Sequence, residues 1–314
     1  MGSYHTSPKG NYPMNRDDFI IATYCLVADE LAQIEAEQPN QRLRHAGFAP
    51  KLSDAEVIAI EICGEFLKLH TDCDIFTYFF THYRAFFPNL SERTLFARQA
   101  VNLNQVKQTI WQRIVHKSGQ NKDSLQSIDT LPYPVGGFTR RFRLKSYRGI
   151  ADVGYCAAKK MTYYGFKIGL RVSSLGMITH CPLLDARSHD VKHTDELLED
   201  VSGIVAADKG FIDTDYQCFL AERGTDLVTP LRSNSKQESP YPAKLLKKCG
   251  YFRKKVETVG SQLCDRFGLH KLRVRDLWHL CHRLGRKVLS HTVAVWFNLQ
   301  RGGDPLNFDA LVTP

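Results

Sequence analysis

Residues 165–181, GFKIGLRVSSLGMITHC, carry the reading that decides the fold class. Phe166, Ile168, Leu170 and Val172 alternate with Lys167, Gly169 and Arg171, the period of two expected of a half-buried strand. Ser173 to Gly176 turns the chain, and Met177, Thr179 and Cys181 resume the alternation, so the segment reads as an antiparallel hairpin. Downstream the pattern becomes a helix from about Val191 to Glu199, a strand Ile204 to Ala207, a helix near Thr214 to Glu222 and a strand Asp226 to Thr229. Antiparallel strands followed by strand and helix in alternation predict an α/β domain, a mixed sheet covered by helices.

Upstream of a polar break at Ser118 to Lys122 the periodicity is helical. Phe19, Ile20, Thr23, Leu26, Val27, Leu31 and Ile34 recur at helical spacing. Ser53 and Glu56 form a capping box ahead of Val57, Ile58, Ile60 and Leu67. A third helix is expected from about Asp72 to Phe87, stopped by Pro88, and a fourth, capped by Ser91, through ERTLFARQAVNLNQVKQTIWQRIV. Arg93, Arg98, Lys107 and Arg113 make that last helix basic, so a helix-turn-helix reader of DNA and an ordinary helical bundle both fit.

With 314 residues, 43% of them hydrophobic, the chain can bury one large core or two ordinary ones, which excludes disorder and a disulfide miniprotein. Its nine cysteines include no CxxC pair and read as reduced thiols. No apolar run approaches the length of a membrane span, and the start of the chain has no apolar signal core, so a soluble cytoplasmic protein is expected. Residues before Met14 read as a disordered leader. The net charge of +9 is concentrated: Lys244 to Lys287 holds thirteen basic and three acidic residues. Such a cluster points to a polyanion, since cations gathered in one place displace the counterions condensed on phosphate.

Three acids stand where that charge can be used. Asp129 follows the apolar run Leu125 to Ile128 and precedes Pro132 and Pro134, which are expected to stop the strand just past it. Asp208 ends the run Ile204 to Ala207, so if the two strands are neighbours both carboxylates reach one cleft. Glu257 lies beside the stripe Val256, Val259, Leu263 and Phe267, flanked by Arg253, Lys254 and Lys255. Hard oxygen donors of this kind suit Mg²⁺, and a pair of ions about 3.5–4 Å apart serves phosphoryl transfer. Each acid also has a plain structural reading, as a turn cap, a helix cap and a helical partner of Arg253. Arg140, Arg141, Arg143, Lys145 and Arg148 form a basic loop after Asp129, expected beside the cleft and suited to a DNA strand.

KLSDAEVIAIEICGEFL, SIDTLPYPV, GYCAAKKMTYYGFKIGLRV, LLDARSHD, AADKGFID and RKKVETVGSQLCDRFG, spread over about residues 51 to 270, together resemble the DDE-type transposases of bacterial insertion sequences, most closely the insertion-sequence 982 family. The resemblance implies an RNase H-like catalytic domain in which Asp129, Asp208 and Glu257 hold two Mg²⁺ ions, with Mn²⁺ able to substitute. It implies cleavage at the element's ends, transfer of the freed 3′-hydroxyl into target DNA, double-stranded terminal repeats and target as partners, and a synaptic homodimer. A related group places a tyrosine and a lysine around the Arg and Glu. Here those positions are Gly250 and Cys264, which leaves Tyr251, Arg266 and Lys271 as substitutes for gripping the backbone. The implied organisation is a leader over 1–15, a helical end-recognition region over 16–120, the catalytic domain over 121–290 and a C-terminal segment over 291–314. A catalytically inactive DNA-binding descendant of such an enzyme is the alternative.

Other clusters compete less well. His189 and His193 have the separation of a zinc pair but lack further ligands, and His189 and Asp190 instead order the start of a helix or lie near the cleft. His279, Cys281 and His282 are crowded together, and the two histidines read as phosphate contacts or bystanders, while Asp152 and Asp185 are weaker rivals for the catalytic acids.

Overall fold

The structure is a computed structural model that describes residues 13–37, 50–157, 160–231, 241–270, 274 and 276–313. Most of the expected leader lies outside the described residues. Met14, at its end, pairs with the other end of the chain, donating to Leu311 O and accepting from Thr313 N, both at 2.8 Å.

Five helices come first: α1 (Arg16–Glu37), α2 (Asp54–Phe66), α3 (Asp72–His82), α4 (Arg93–Asn102) and α5 (Asn104–Lys117). The capping box at Ser53 and Glu56 is formed, with Glu56 N donating to Ser53 Oγ at 3.2 Å and Ser53 N to Glu56 Oε2 at 2.7 Å. Three expectations change. The third helix ends at His82, and the fourth is broken at the fully buried Leu103, whose position at the break lets α5 turn onto its own packing surface. Its first residue follows Glu92, not Ser91, and no side chain caps it.

The sheet contains β1 (Leu125–Gly137), β2 (Asp152–Cys156), β3 (Met161–Ser173), β4 (Ile178–His180), β5 (Leu183–Asp185), then, after the short α6 (Thr194–Leu197), β6 (Gly203–Ala206) and, after α7 (Thr214–Glu222), β7 (Thr225–Val228). Its order is β2-β3-β1-β6-β7, with β4 and β5 on β3. β1 runs antiparallel to β3 and parallel to β6, and β6 parallel to β7, so the sheet is mixed. The hairpin lies where the alternation put it. Gly176, at φ +87°, closes its turn, with Ser173 N donating to Met177 O at 2.9 Å. The helix expected from Val191 to Glu199 is a single 3₁₀ turn, Asp190–His193, followed by α6.

β1 does not stop at its prolines. It pairs with β3 as far as Gly137, although with β6 only through Ser127. Gly169, opposite Thr130, sends its N–H away from β1 to Pro182 O, so Thr130, Pro132 and Pro134 turn their nitrogens to the edge that β6 has left open. A proline costs no ladder bond there.

Two long helices close the chain, α8 (Ala243–Asp265) and α9 (Leu277–Gln300). A second, smaller core on the other face of the sheet joins Ile128 and Val205 to Leu197, Phe211 and Leu220. The main core is continuous from α1 and α2 through β1 and β3 to α8 and α9. The expected boundary at 290 falls inside α9, which packs on α2 and α5, and the helical region and the sheet share a single core.

Candidate active site at the end of the parallel strands

Ser127 on β1 faces Ala206 on β6, and the strands are parallel. Asp129 and Asp208 each stand two residues further on, at the same level beyond the end of the pairing. The C-terminal ends of adjacent parallel strands are where α/β sheets bring functional groups together. Past Ser127 the Thr130 N–H has no strand partner, and the Asp129 carboxylate accepts it at 2.8 Å.

Glu257 comes from above. α8 buries Val256, Val259 and Leu263, and at Gly260 it passes close to β1. A side-chain carbon at residue 260 would lie 3.3 Å from Leu131, which shares a face of β1 with Asp129. One turn before Glu257, Arg253 reaches down between the acids. Its Nη1 lies 2.9 Å from Asp208 Oδ1 and its Nη2 3.2 Å from Glu257 Oε1. The Asp129 carboxyl is pushed up to about 6, first by burial and then by the charges of Asp190, Asp208 and Glu257, against the opposing Thr130 hydrogen bond. The three acids singled out in the sequence thus converge on one cleft.

Two groups there belong to a network that the sequence alone did not resolve. Asp190 Oδ1 accepts from Thr130 Oγ1 at 2.7 Å and from Lys167 Nζ at 2.8 Å, and Lys167 also donates to Ser188 O at 2.7 Å. Asp190 lies close to Gly210, two residues after Asp208. The LLDARSHD stretch had marked Asp190 as helix-ordering or cleft-adjacent, whereas nothing in the alternation around Lys167 distinguished it from a solvated lysine.

The basic residues divide sharply. Lys254 and Tyr251 are exposed on α8 beside Arg253, and Lys255 is half-buried. Arg140, Arg143, Lys145 and Arg148 are exposed, and the Arg141 guanidinium sits over the rings of Phe138 and Phe142 at 3.9 and 4.2 Å. This loop follows Gly137, so β1 carries it away from Asp129 by up to about 26 Å at strand rise, and it does not flank the carboxylates. Arg266 bonds Asp309 at 2.7 Å and packs over the Phe66 ring at 4.4 Å, which removes it from the expected backbone contacts. Lys271 lies outside the described residues.

The end of the basic segment is turned inward. Arg286 and Lys287 are fully buried, and they pair with Glu61 and Glu65 of α2 and Asp72 of α3. Arg283 pairs with Asp72 at 2.6 Å. His282, read as a phosphate contact or a bystander, is 1% exposed and lies against Lys107 Nζ at 3.0 Å. Burial holds its imidazole down at about 4. Lys107 meets Glu61 at 2.5 Å and Arg113 meets Glu30 at 2.8 Å, so two of the four basic positions of the proposed DNA-reading helix are spent on other helices. The signal missed was Glu61 and Glu65, a turn apart in the otherwise apolar stretch of α2 after Glu56.

Among the described residues, Glu61, Asp72 and His282 are the one group whose ligand atoms all lie within 4.8 Å, but Lys107, Arg283 and Arg286 already neutralise it. His189 is exposed while His193 is buried 3.7 Å from Asp185, so the two do not form a zinc pair. Asp185 caps the turn at Arg187 and Ser188, and Asp152 is exposed at the start of β2. No disulfide is formed among the described residues.

A family model described as a transposase DDE domain matches residues 119–277. The chain is similar in fold to the protein in a cryo-electron microscopy structure of a piggyBac transposase synaptic complex with hairpin DNA. The two are 11% identical, the match covers 96% of this chain and 80% of that one, and the TM-score is 0.50. No curated protein matches the sequence.

Proposed function

Since the chain belongs to the transposases with a DDE domain, we propose that it cleaves DNA at the ends of an insertion sequence and joins the freed 3′-hydroxyl to target DNA, with Asp129, Asp208 and Glu257 as the catalytic acids. The observation that carries this reading is the meeting of those three carboxylates at the open end of β1 and β6, where burial, and after it the neighbouring acids, push the Asp129 carboxyl up to about 6.

The donor set fits a divalent cation. It offers only carboxylate oxygens, it carries more negative charge than Arg253 cancels, and Asp208 and Glu257 are half-exposed. Asp129, Asp208 and Glu257 would hold Mg²⁺ or Mn²⁺, two ions in the reading favoured here. When bound, such ions lower the pKa of the attacking hydroxyl and neutralise charge on the leaving oxygen. The protein's own part is to fix the acids. The Thr130 N–H orients Asp129, and Asp190, held by Lys167, braces the same stretch of β1 through the Thr130 hydroxyl.

The finer assignment follows the motifs. We read the sheet as RNase H-like and the chain as closest to the insertion-sequence 982 group, with residues 16–120 contributing to recognition of the element's ends. Exposed Arg93 and Arg98, Lys254 and the loop cations Arg140, Arg143, Lys145 and Arg148 are its proposed contacts to phosphate. The loop, a strand's length from the acids, would meet duplex several base pairs from the cut. A dimer pairing two element ends is the proposed working form, and the similar piggyBac protein was solved as a synaptic complex with hairpin DNA. No helix among the described residues is long and apolar enough to cross a membrane, in keeping with a place in the bacterial cytoplasm at the nucleoid.

The test is metal-dependent nicking of a labelled duplex carrying the element's end. Wild type should nick in Mg²⁺ or Mn²⁺, and Asp129→Asn should lower the rate by about a thousandfold, equivalent to about 4 kcal/mol of transition-state stabilisation. Binding without nicking in either metal would make the chain an inactive DNA-binding descendant.

A further inference from the structure

We propose that Arg253 is an exchangeable counterion of the acidic site: its guanidinium neutralises Asp208 and Glu257 until a divalent cation replaces it, and the displaced side chain then takes a DNA phosphate. This rests on reading the three acids as metal ligands.

Arg253 makes one ion pair to each of two elements, at 2.9 Å to Asp208 after β6 and 3.2 Å to Glu257 on its own helix. It stands where those carboxylates face each other, and the oxygens of Asp129, Asp208 and Glu257 do not all lie within the 4.8 Å seen at Glu61, Asp72 and His282. A cation held by Asp208 and Glu257 together competes with Arg253 for the same two carboxylates. Two further facts make the exchange easy. Arg253 is 32% exposed and its partners 51% and 48%, so water screens both pairs and the side chain can leave without a desolvated charge remaining. Arg286 is the contrast within the same protein: 0% exposed on 0%-exposed Glu61 and Glu65, it has nowhere to go.

Arg253 is also not needed to hold α8 in place. Buried Val256, Val259 and Leu263 and the close pass at Gly260 already fix the helix against β1. The guanidinium fork suits phosphate as well as carboxylate, and Lys254 is exposed beside it to share a DNA backbone. The exchange therefore links two ligands. Metal frees Arg253 for phosphate, and phosphate draws Arg253 off the acids and opens them to metal, a coupling that is reciprocal by thermodynamic necessity.

The test is Mn²⁺ binding followed by electron paramagnetic resonance, with and without a short duplex, for wild type, Arg253→Gln and Arg253→Lys. Arg253→Gln should bind Mn²⁺ at least about fivefold tighter than wild type in the absence of DNA. Arg253→Lys, whose single ammonium can hold one carboxylate at a time, should fall between them. Duplex should tighten Mn²⁺ on wild type and leave Arg253→Gln unchanged. Equal or weaker Mn²⁺ binding by Arg253→Gln, or no effect of duplex on wild type, overturns the exchange while leaving the metal site standing. Saturable Mn²⁺ binding that is unchanged in the double variant Asp208→Asn, Glu257→Gln, measured beside these, overturns both.

Discussion

At position 129 a carboxylate loses its proton with difficulty in the metal-free protein, because it is buried and because Asp190, Asp208 and Glu257 surround it with negative charge. With its pKa raised from 3.8 to about 6, the folded state binds more protons than the unfolded state between those values, so ionising Asp129 costs stability as pH rises through that window. Asp129→Asn, which cannot ionise, should therefore melt above wild type at pH 7 to 8 without metal and level with it near pH 4, as read by circular dichroism. Equal melting temperatures at pH 7 to 8 would mean that neither burial nor the neighbouring carboxylates penalise ionised Asp129. The three acids were legible because each marks the end or the flank of an apolar run. Lys167 and Asp190 were not read as a pair, since 23 residues separate them and only the approach of the 190–193 turn to β3 joins them.

Strand β1 and helix α8 carry the site between them. The prolines of β1 read as a stop signal because a ladder bond was assumed at each. The strand instead continues, since β6 ends at Ala206 and leaves their side of β1 unpaired. That same early ending exposes the Thr130 N–H to Asp129, so one feature of the sheet accounts for both the error and the site. On α8, Gly260 lies close against β1, where a side-chain carbon would sit 3.3 Å from Leu131. Gly260→Leu should lift the helix from Leu131, cost about 1–3 kcal/mol by overpacking, and reduce nicking beyond what the lost folded fraction explains, because Glu257 moves with the helix. Denaturant titration and a nicking assay on the same sample check this, and full specific activity of the folded fraction would count against it. The hairpin at 165–181 and the helix at 214–222 were read correctly, each having a clean period and a turn or cap of its own.

The whole molecule departs furthest from the sequence reading, because charge and periodicity are local while the packing of α9 is not. Its cations suggested a surface for a polyanion, yet Arg286 and Lys287 are spent in a buried lattice with Glu61, Glu65 and Asp72 that ties the end of the chain to its first helices. Arg286 is the one cation that reaches all three of those acids, with Lys107, Lys287 and Arg283 each holding one; removing it from a buried network should be expensive: Arg286→Met is expected to destabilise the protein by about 3–5 kcal/mol in urea unfolding, and a change below about 1 kcal/mol would show that the lattice is not closed. The shared core means that the sheet presents Asp129, Asp208 and Glu257 from a scaffold braced by both ends of the chain. The most direct measurement is the anomalous scattering of crystals soaked in Mn²⁺. The expected result is manganese density among the carboxylates of Asp129, Asp208 and Glu257, lost in Asp129→Asn. Density confined to other residues, or absent at Mn²⁺ concentrations that support nicking, would contradict the assignment of these acids as the catalytic centre.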